Sequence, residues 1–158
     1  MQITFGGWTR ATELFRLGWE YSYTNYAQNQ TLEIRGNVGA QTLSSIPQRW
    51  KNMNVARLGG EYTGMGLPLR FGYSYTTAVT PSDYARSTFS SPGPGHSFTF
   101  GSGMILSRAI ELDGALEYAF ASGTATNINT PSTVAEVGTA SAFKSTAYAA
   151  HLSARYRF

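Results

Sequence analysis

The side chains in this sequence that could bind or react are few. In 158 residues there are ten Arg, two Lys, nine Asp and Glu, two His and no Cys. The lack of Cys removes thiol nucleophiles, disulfide frameworks and Cys-ligated metal sites. His96 and His151 lie on different segments without a nearby Asp–Ser pattern, and no His/Asp/Glu cluster has metal-ligand spacing. The run Ser91-Pro92-Gly93-Pro94-Gly95 could suggest a phosphate cradle, but no Lys and no helical pattern accompany it, so it is read as a loop stiffener. What remains is a dispersed charged set: Arg16, Glu20, Arg57, Glu61, Arg70, Asp113, Glu117, Arg155 and Arg157. Its signs are interleaved, which favours a lattice of ion pairs. The sharper alternative is that an arginine holds a substrate carboxylate, for which the planar guanidinium is suited. The candidate substrate-binding residues are Arg57, Glu61, Arg70, Glu117, His151 and Arg155. No catalytic set, metal site or cofactor is expected.

The elements that position these residues alternate with period two. From Leu14 to Thr24, Phe15, Leu17, Trp19, Tyr21 and Tyr23 oppose Arg16, Gly18, Glu20, Ser22 and Thr24. From Leu69 to Thr76, Leu69, Phe71, Tyr73 and Tyr75 oppose Arg70, Gly72, Ser74 and Thr76. The last segment sets Tyr148, Ala150, Leu152, Ala154, Tyr156 and Phe158 against Ala147, Ala149, His151, Ser153, Arg155 and Arg157. Pooled, thirteen of fifteen positions on one face are aromatic or Leu and none is charged, while the other face holds five charges. Such segregation predicts strands. Weaker alternation over Gln2–Thr9, Asn52–Tyr62, His96–Leu106 and Ile110–Ala121 brings the count to seven.

Short connections near Arg10–Glu13, Thr63–Pro68 and Ser107–Ala109 alternate with long ones at about Ala27–Lys51, Ala78–Gly95 and Ser122–Ala142. Tight turns at one end and long loops at the other are the pattern of outer-membrane barrels. The polar face is rich in Gly and Ser and the chain has only two Lys, which suits a lumen better than a solvated surface. Aromatics gather toward both strand ends, as in interfacial girdles. The start of the chain has neither a basic nor an apolar region of a signal peptide, and no stretch is apolar enough for a membrane helix. The excess of +3 is too small and dispersed to indicate nucleic acid. The expected fold class is all-β: an antiparallel transmembrane β-barrel wall of about seven strands. A small eight-stranded structural or adhesion barrel and a soluble lipid-binding barrel are the rivals.

The chain resembles the FadL/TodX-like outer-membrane transporters of long-chain fatty acids and other hydrophobic compounds. The resemblance rests on Ile46-Pro47-Gln48-Arg49-Trp50-Lys51 leading into Arg57-Leu58-Gly59-Gly60-Glu61-Tyr62, then Leu69-Arg70-Phe71-Gly72-Tyr73-Ser74-Tyr75. It continues through a loop bearing Pro81, Pro92 and Pro94, His96-Ser97-Phe98-Thr99-Phe100-Gly101-Ser102-Gly103, and a closing Tyr156-Arg157-Phe158. The last residues are similar to the terminal insertion signal of bacterial outer-membrane proteins, with Ser153 in place of its commonest glycine. The resemblance implies a fourteen-stranded barrel with an N-terminal plug and a signal peptide, residues 1–158 matching the C-terminal half. It also implies a bacterial outer-membrane location and passive uptake. The implied partners are outer-membrane lipid, a hydrophobic small-molecule substrate and the N-terminal half.

Three structural expectations follow from the pattern. Thr31–Val38, where Leu32, Ile34 and Val38 alternate with Glu33, Arg35 and Asn37, is taken as an extension of the second strand above the membrane. The turn at Thr63–Pro68 pairs residues whose numbers sum to about 131, setting Leu58 opposite Tyr73, Glu61 opposite Arg70 and Arg57 opposite Ser74. Seven strands should leave open edges at Gln2–Thr9 and Phe143–Phe158.

Overall fold

The computed structural model describes residues 1–36, 42–85, 92–126 and 141–157, with only the backbone described at 42–44 and 141. Among the described residues nine strands form: β1 Gln2–Arg10, β2 Phe15–Thr24, β3 Thr31–Arg35, β4 Thr42–Pro47, β5 Met53–Tyr62, β6 Leu69–Thr76, β7 Gly95–Ile105, β8 Ile110–Ala125 and β9 Ser141–Tyr156. Seven make one sheet in the order β1-β2-β5-β6-β7-β8-β9, and β3 pairs with β4 in a separate two-stranded sheet. Neighbours in the large sheet are all antiparallel. Phe158 and Ser91, which figure in the sequence reading, lie outside the described residues.

The register across the 63–68 turn is the expected one: Leu58 faces Tyr73, Arg57 faces Ser74 and Glu61 faces Arg70. Because directly opposed residues share a face, the apolar and charged positions of all seven strands join into two continuous surfaces. One apolar row runs Trp19–Leu58–Tyr73–Phe98–Tyr118–Tyr148 through successive pairings. Rings stack along it, Tyr73 on Phe98 at 5.0 Å and Tyr118 on Tyr148 at 5.2 Å. Phe71 lies over Gly60, where a Cβ would overlap its ring, and stacks on Phe15 at 5.9 Å.

The burial pattern is inverted relative to a water-soluble sheet. On the apolar face Leu152 is 85% exposed, Tyr148 79%, Leu116 65% and Leu58 62%, whereas the Glu61, Asp113 and Glu111 side chains are only 23–28% exposed. The buried apolar residues among those described are Val55, Ala85 and Ala125, and no large side chain is fully enclosed. A sheet that half-buries most of its acids and exposes its leucines has, among the described residues, no apolar core to hold it together in water. Its stability must come from what surrounds the apolar face.

Two elements differ from the sequence expectation. The 31–38 segment does not extend β2: Asn29 N–H donates to the Tyr26 carbonyl in a turn, and β3 then pairs with β4 inside the same connection. Residues 37 and 38 of that segment lie outside the described residues. The physical reason is that β4 supplies a local ladder partner, so β3 satisfies its backbone without the sheet. Strands β8 and β9 also run further than their apolar alternation, pairing from Ala121–Ser145 up to Ala125–Ser141 through Ser, Gly, Thr and Ala.

At this end of the sheet the connections fold back onto it. Thr126 N–H donates to Ser82 O, Lys51 N–H to Val79 O and Gln48 N–H to Gln30 O, all at 2.8–2.9 Å. Gly93, at φ +102, lies so close to the Ser122 carbonyl that a Cβ there would overlap it. The Pro92–Gly95 stretch is therefore a packed clamp on β8. A side chain at Gly93 would have to break that contact and hold a left-handed φ.

Candidate functional site

The six candidate residues Arg57, Glu61, Arg70, Glu117, His151 and Arg155 all fall on the charged face, but they gather into four groups rather than one pocket. Arg57 pairs with Glu20 one strand away. Arg16 and Arg70 both reach Glu61, at 3.5 and 2.8 Å, and Arg70 also reaches Asp113 at 2.6 Å. Glu117 accepts from the Ser97 hydroxyl at 2.6 Å and lies 3.4 Å from His151 Nε2. Arg155 and Arg157 share Glu111 at 3.0 and 3.2 Å. Every Arg in this set has a carboxylate partner, although Arg155 and Arg157 share one acid and Arg10, opposite Arg16 on the same face, adds a further cation.

The Arg70–Asp113 pair skips a strand. Arg70 is on β6, Asp113 on β8, and Gly101 of β7 is the residue paired with Arg70. The guanidinium crosses β7 because Gly101 and Gly103 carry no side chains. A Cβ at Gly103 would overlap Asp113 Oδ1, and one at Gly101 would lie 2.9 Å from the Gly114 carbonyl and 3.1 Å from Ala115 Cβ. Arg70 thereby ties three strands with one side chain. A double-mutant cycle on Arg70→Ala and Asp113→Ala should show a coupling of about 0.2–1 kcal/mol, as for half-exposed pairs. Gly101→Val should cost about 1–3 kcal/mol by overpacking, which chemical denaturation of the folded barrel would measure.

His96, by contrast, belongs to the apolar face. The Tyr73 hydroxyl lies 2.9 Å from its Nδ1, and its ring stacks on Phe120 at 4.8 Å and 14°. The two histidines therefore lie on opposite faces of the sheet. Glu111 shares the face of Asp113 and Glu117 in the alternation of β8 but stands outside the charged set picked from the sequence. Trp8 was missed for a different reason. It stands on the charged face opposite Gly18, an apolar residue among polar ones, so it broke the pattern that identified β1.

Over 98% of its length the chain matches the crystal structure of a Pseudomonas aeruginosa FadL homologue, with a TM-score of 0.76 and 17% sequence identity. The chain shares the fold of a FadL homologue. It spans 34% of that homologue's chain. No protein-family model and no curated protein sequence matches it. The all-β antiparallel sheet is thus a segment of FadL-type architecture. The charged face, with its paired acids and arginines, lies on the more enclosed side of that sheet.

Proposed function

We propose that the chain is part of the wall of a bacterial outer-membrane barrel that passes hydrophobic small molecules, such as long-chain fatty acids, without a cofactor or energy source. The observation that carries the reading is the inverted burial: leucines and tyrosines outward, paired charges inward. That arrangement is stable when lipid covers the apolar face and water or substrate fills the enclosed side. The FadL-type fold supports the same reading. On it, Phe71, Tyr73 and Leu152 contact lipid, while Arg70, Ser74 and Ser153 line the lumen.

Closure needs a complement. Six antiparallel pairings separate β1 from β9, so these two edge strands run in the same direction. An all-antiparallel barrel then requires an inserted segment with an odd number of strands. A second copy related by rotation about the barrel axis would supply an odd number of strands but in the wrong sense, bringing β1 against β9 in parallel at both seams. The complement proposed is the N-terminal half of a fourteen-stranded chain, with 1–158 its C-terminal portion.

Uptake by cells tests the transport reading. A host lacking its own channel for hydrophobic compounds should gain saturable uptake of a labelled long-chain fatty acid or hydrocarbon when it expresses the full-length protein. Spin labels give the sidedness separately: a label at residue 71 should be relaxed by a lipid-soluble quencher and one at residue 70 by a water-soluble one. Equal access at both positions would sink the membrane assignment.

A further inference from the structure

The charged face contains a groove of about 360 Å³ bounded by Trp8, Gly18 and Gly59 on one side and Arg16, Glu61 and Arg70 on the other. We infer that this groove is a lumen subsite for the apolar body of an uncharged hydrophobic compound, with the Trp8 indole as its aromatic wall. The inference rests on the enclosed face lining a lumen, as proposed above.

Three observations carry it. Trp8 is 74% exposed, and in the cross-strand rows that run through all seven strands it is the one Phe, Tyr or Trp on the charged face. An exposed indole here has no lipid to meet.

The second observation is the glycines beside it. Trp8, Gly18, Gly59 and Gly72 lie in one row across β1, β2, β5 and β6, spanning about 14 Å at the usual strand spacing. Gly72 is explained by packing, since a Cβ there would lie 2.5 Å from Thr99 Oγ1. Gly18 and Gly59 are not. A Cβ at Gly18 would meet nothing closer than 3.8 Å, and one at Gly59 nothing closer than 3.6 Å, and neither residue has a positive φ. Strand glycines cost stability and mark places where something approaches the backbone closely. Here no protein group among the described residues fills the space they leave.

The third observation sets the chemistry. Arg16 and Arg70, the cations on the groove, are both already held by Glu61, and Arg70 also by Asp113. A carboxylate entering the groove would compete with these acids for the same guanidiniums and meet their negative charge, whereas an uncharged chain or ring lies against the indole and the glycine backbone without disturbing them. The volume falls at the lower end of the range of about 300–1,000 Å³ typical of small-molecule sites.

The test uses heavy-atom quenching of Trp8 in the full-length protein in detergent micelles, with every other tryptophan replaced by Phe. The probes are 1-bromododecane and the 12-bromododecanoate anion at pH 8, and a variant that keeps Trp19 alone reports simple partitioning on the lipid face. Saturable quenching of Trp8 by bromododecane, at least tenfold weaker for the anion and lost in Gly59→Leu, is the expected result. A Cβ is accommodated at Gly59, so that variant should fold, which the heat-modifiable gel mobility of the closed barrel checks. Quenching of Trp8 that is no more saturable than that of Trp19 overturns the inference, as does equal affinity for the anion. Protection of Trp8 from both bromododecane and acrylamide also overturns it, since a polypeptide segment then occupies the groove. Saturable quenching in a protein that gives no cellular uptake would count against the transport reading alone and leave the subsite standing.

Discussion

Expressed on its own, residues 1–158 are expected to collect in inclusion bodies and to show the same gel mobility before and after boiling. The cause is the pair of free edges. β1 and β9 terminate the sheet order and do not pair with each other. β9 is the longer of the two at 16 residues, with β1 at 9. Each backbone N–H or C=O left unpaired in hydrocarbon costs several kcal/mol, so an open sheet cannot span a bilayer. In water the same edges invite strand addition by neighbouring chains, and the exposed apolar face adds to the tendency. Co-expression with a complementary segment that supplies an odd number of strands should restore the heat-modifiable mobility of a closed barrel. A closed, detergent-stable barrel formed by 1–158 alone would refute the open-wall account and favour a small self-contained barrel.

Leu152→Arg in the full-length protein should lower folding stability by about 2–4 kcal/mol if the residue lies near the bilayer midplane. Leu152 is 85% exposed on the apolar face and pairs with Gly114, so its side chain projects away from the sheet, toward lipid on the proposed reading. The adjacent Ser153→Arg should be far milder, because Ser153 lies on the charged face opposite Asp113. The contrast between neighbours is the informative quantity. A soluble sheet packed through its apolar face would suffer at Leu152 by loss of core packing, but its stability would not depend on bilayer thickness. Titration of both variants with denaturant in bilayers of two thicknesses reads the difference. Equal costs at 152 and 153 would mean that the apolar face is not the lipid face.

Much of this architecture follows from local pattern. Strict alternation in β2, β6 and β9 needs no tertiary knowledge, because period two assigns each residue to a face once a strand exists. The turn at 63–68 then sets the pairing of Glu61 with Arg70, since a hairpin of given length admits one register that keeps Leu58 and Tyr73 together. Seven strands, two faces and the interleaving of charge were legible on those grounds.

The remainder was decided in three dimensions. Thr31–Arg35 alternates as well as a sheet strand does, but its partner is Thr42–Pro47, and no periodicity states which ladder a strand will join. The Arg70–Asp113 contact depends on a guanidinium crossing an intervening strand at Gly101, and Glu111 becomes the shared partner of Arg155 and Arg157 only through the β8–β9 register. Trp8 is the clearest case. In the sequence it reads as a break in the pattern of β1, and only the row of strands beside it turns that break into the wall of a groove. Face and period are properties of consecutive residues, whereas a pair that spans three strands or a groove that spans four exists only once non-local register has placed side chains far apart in sequence beside one another.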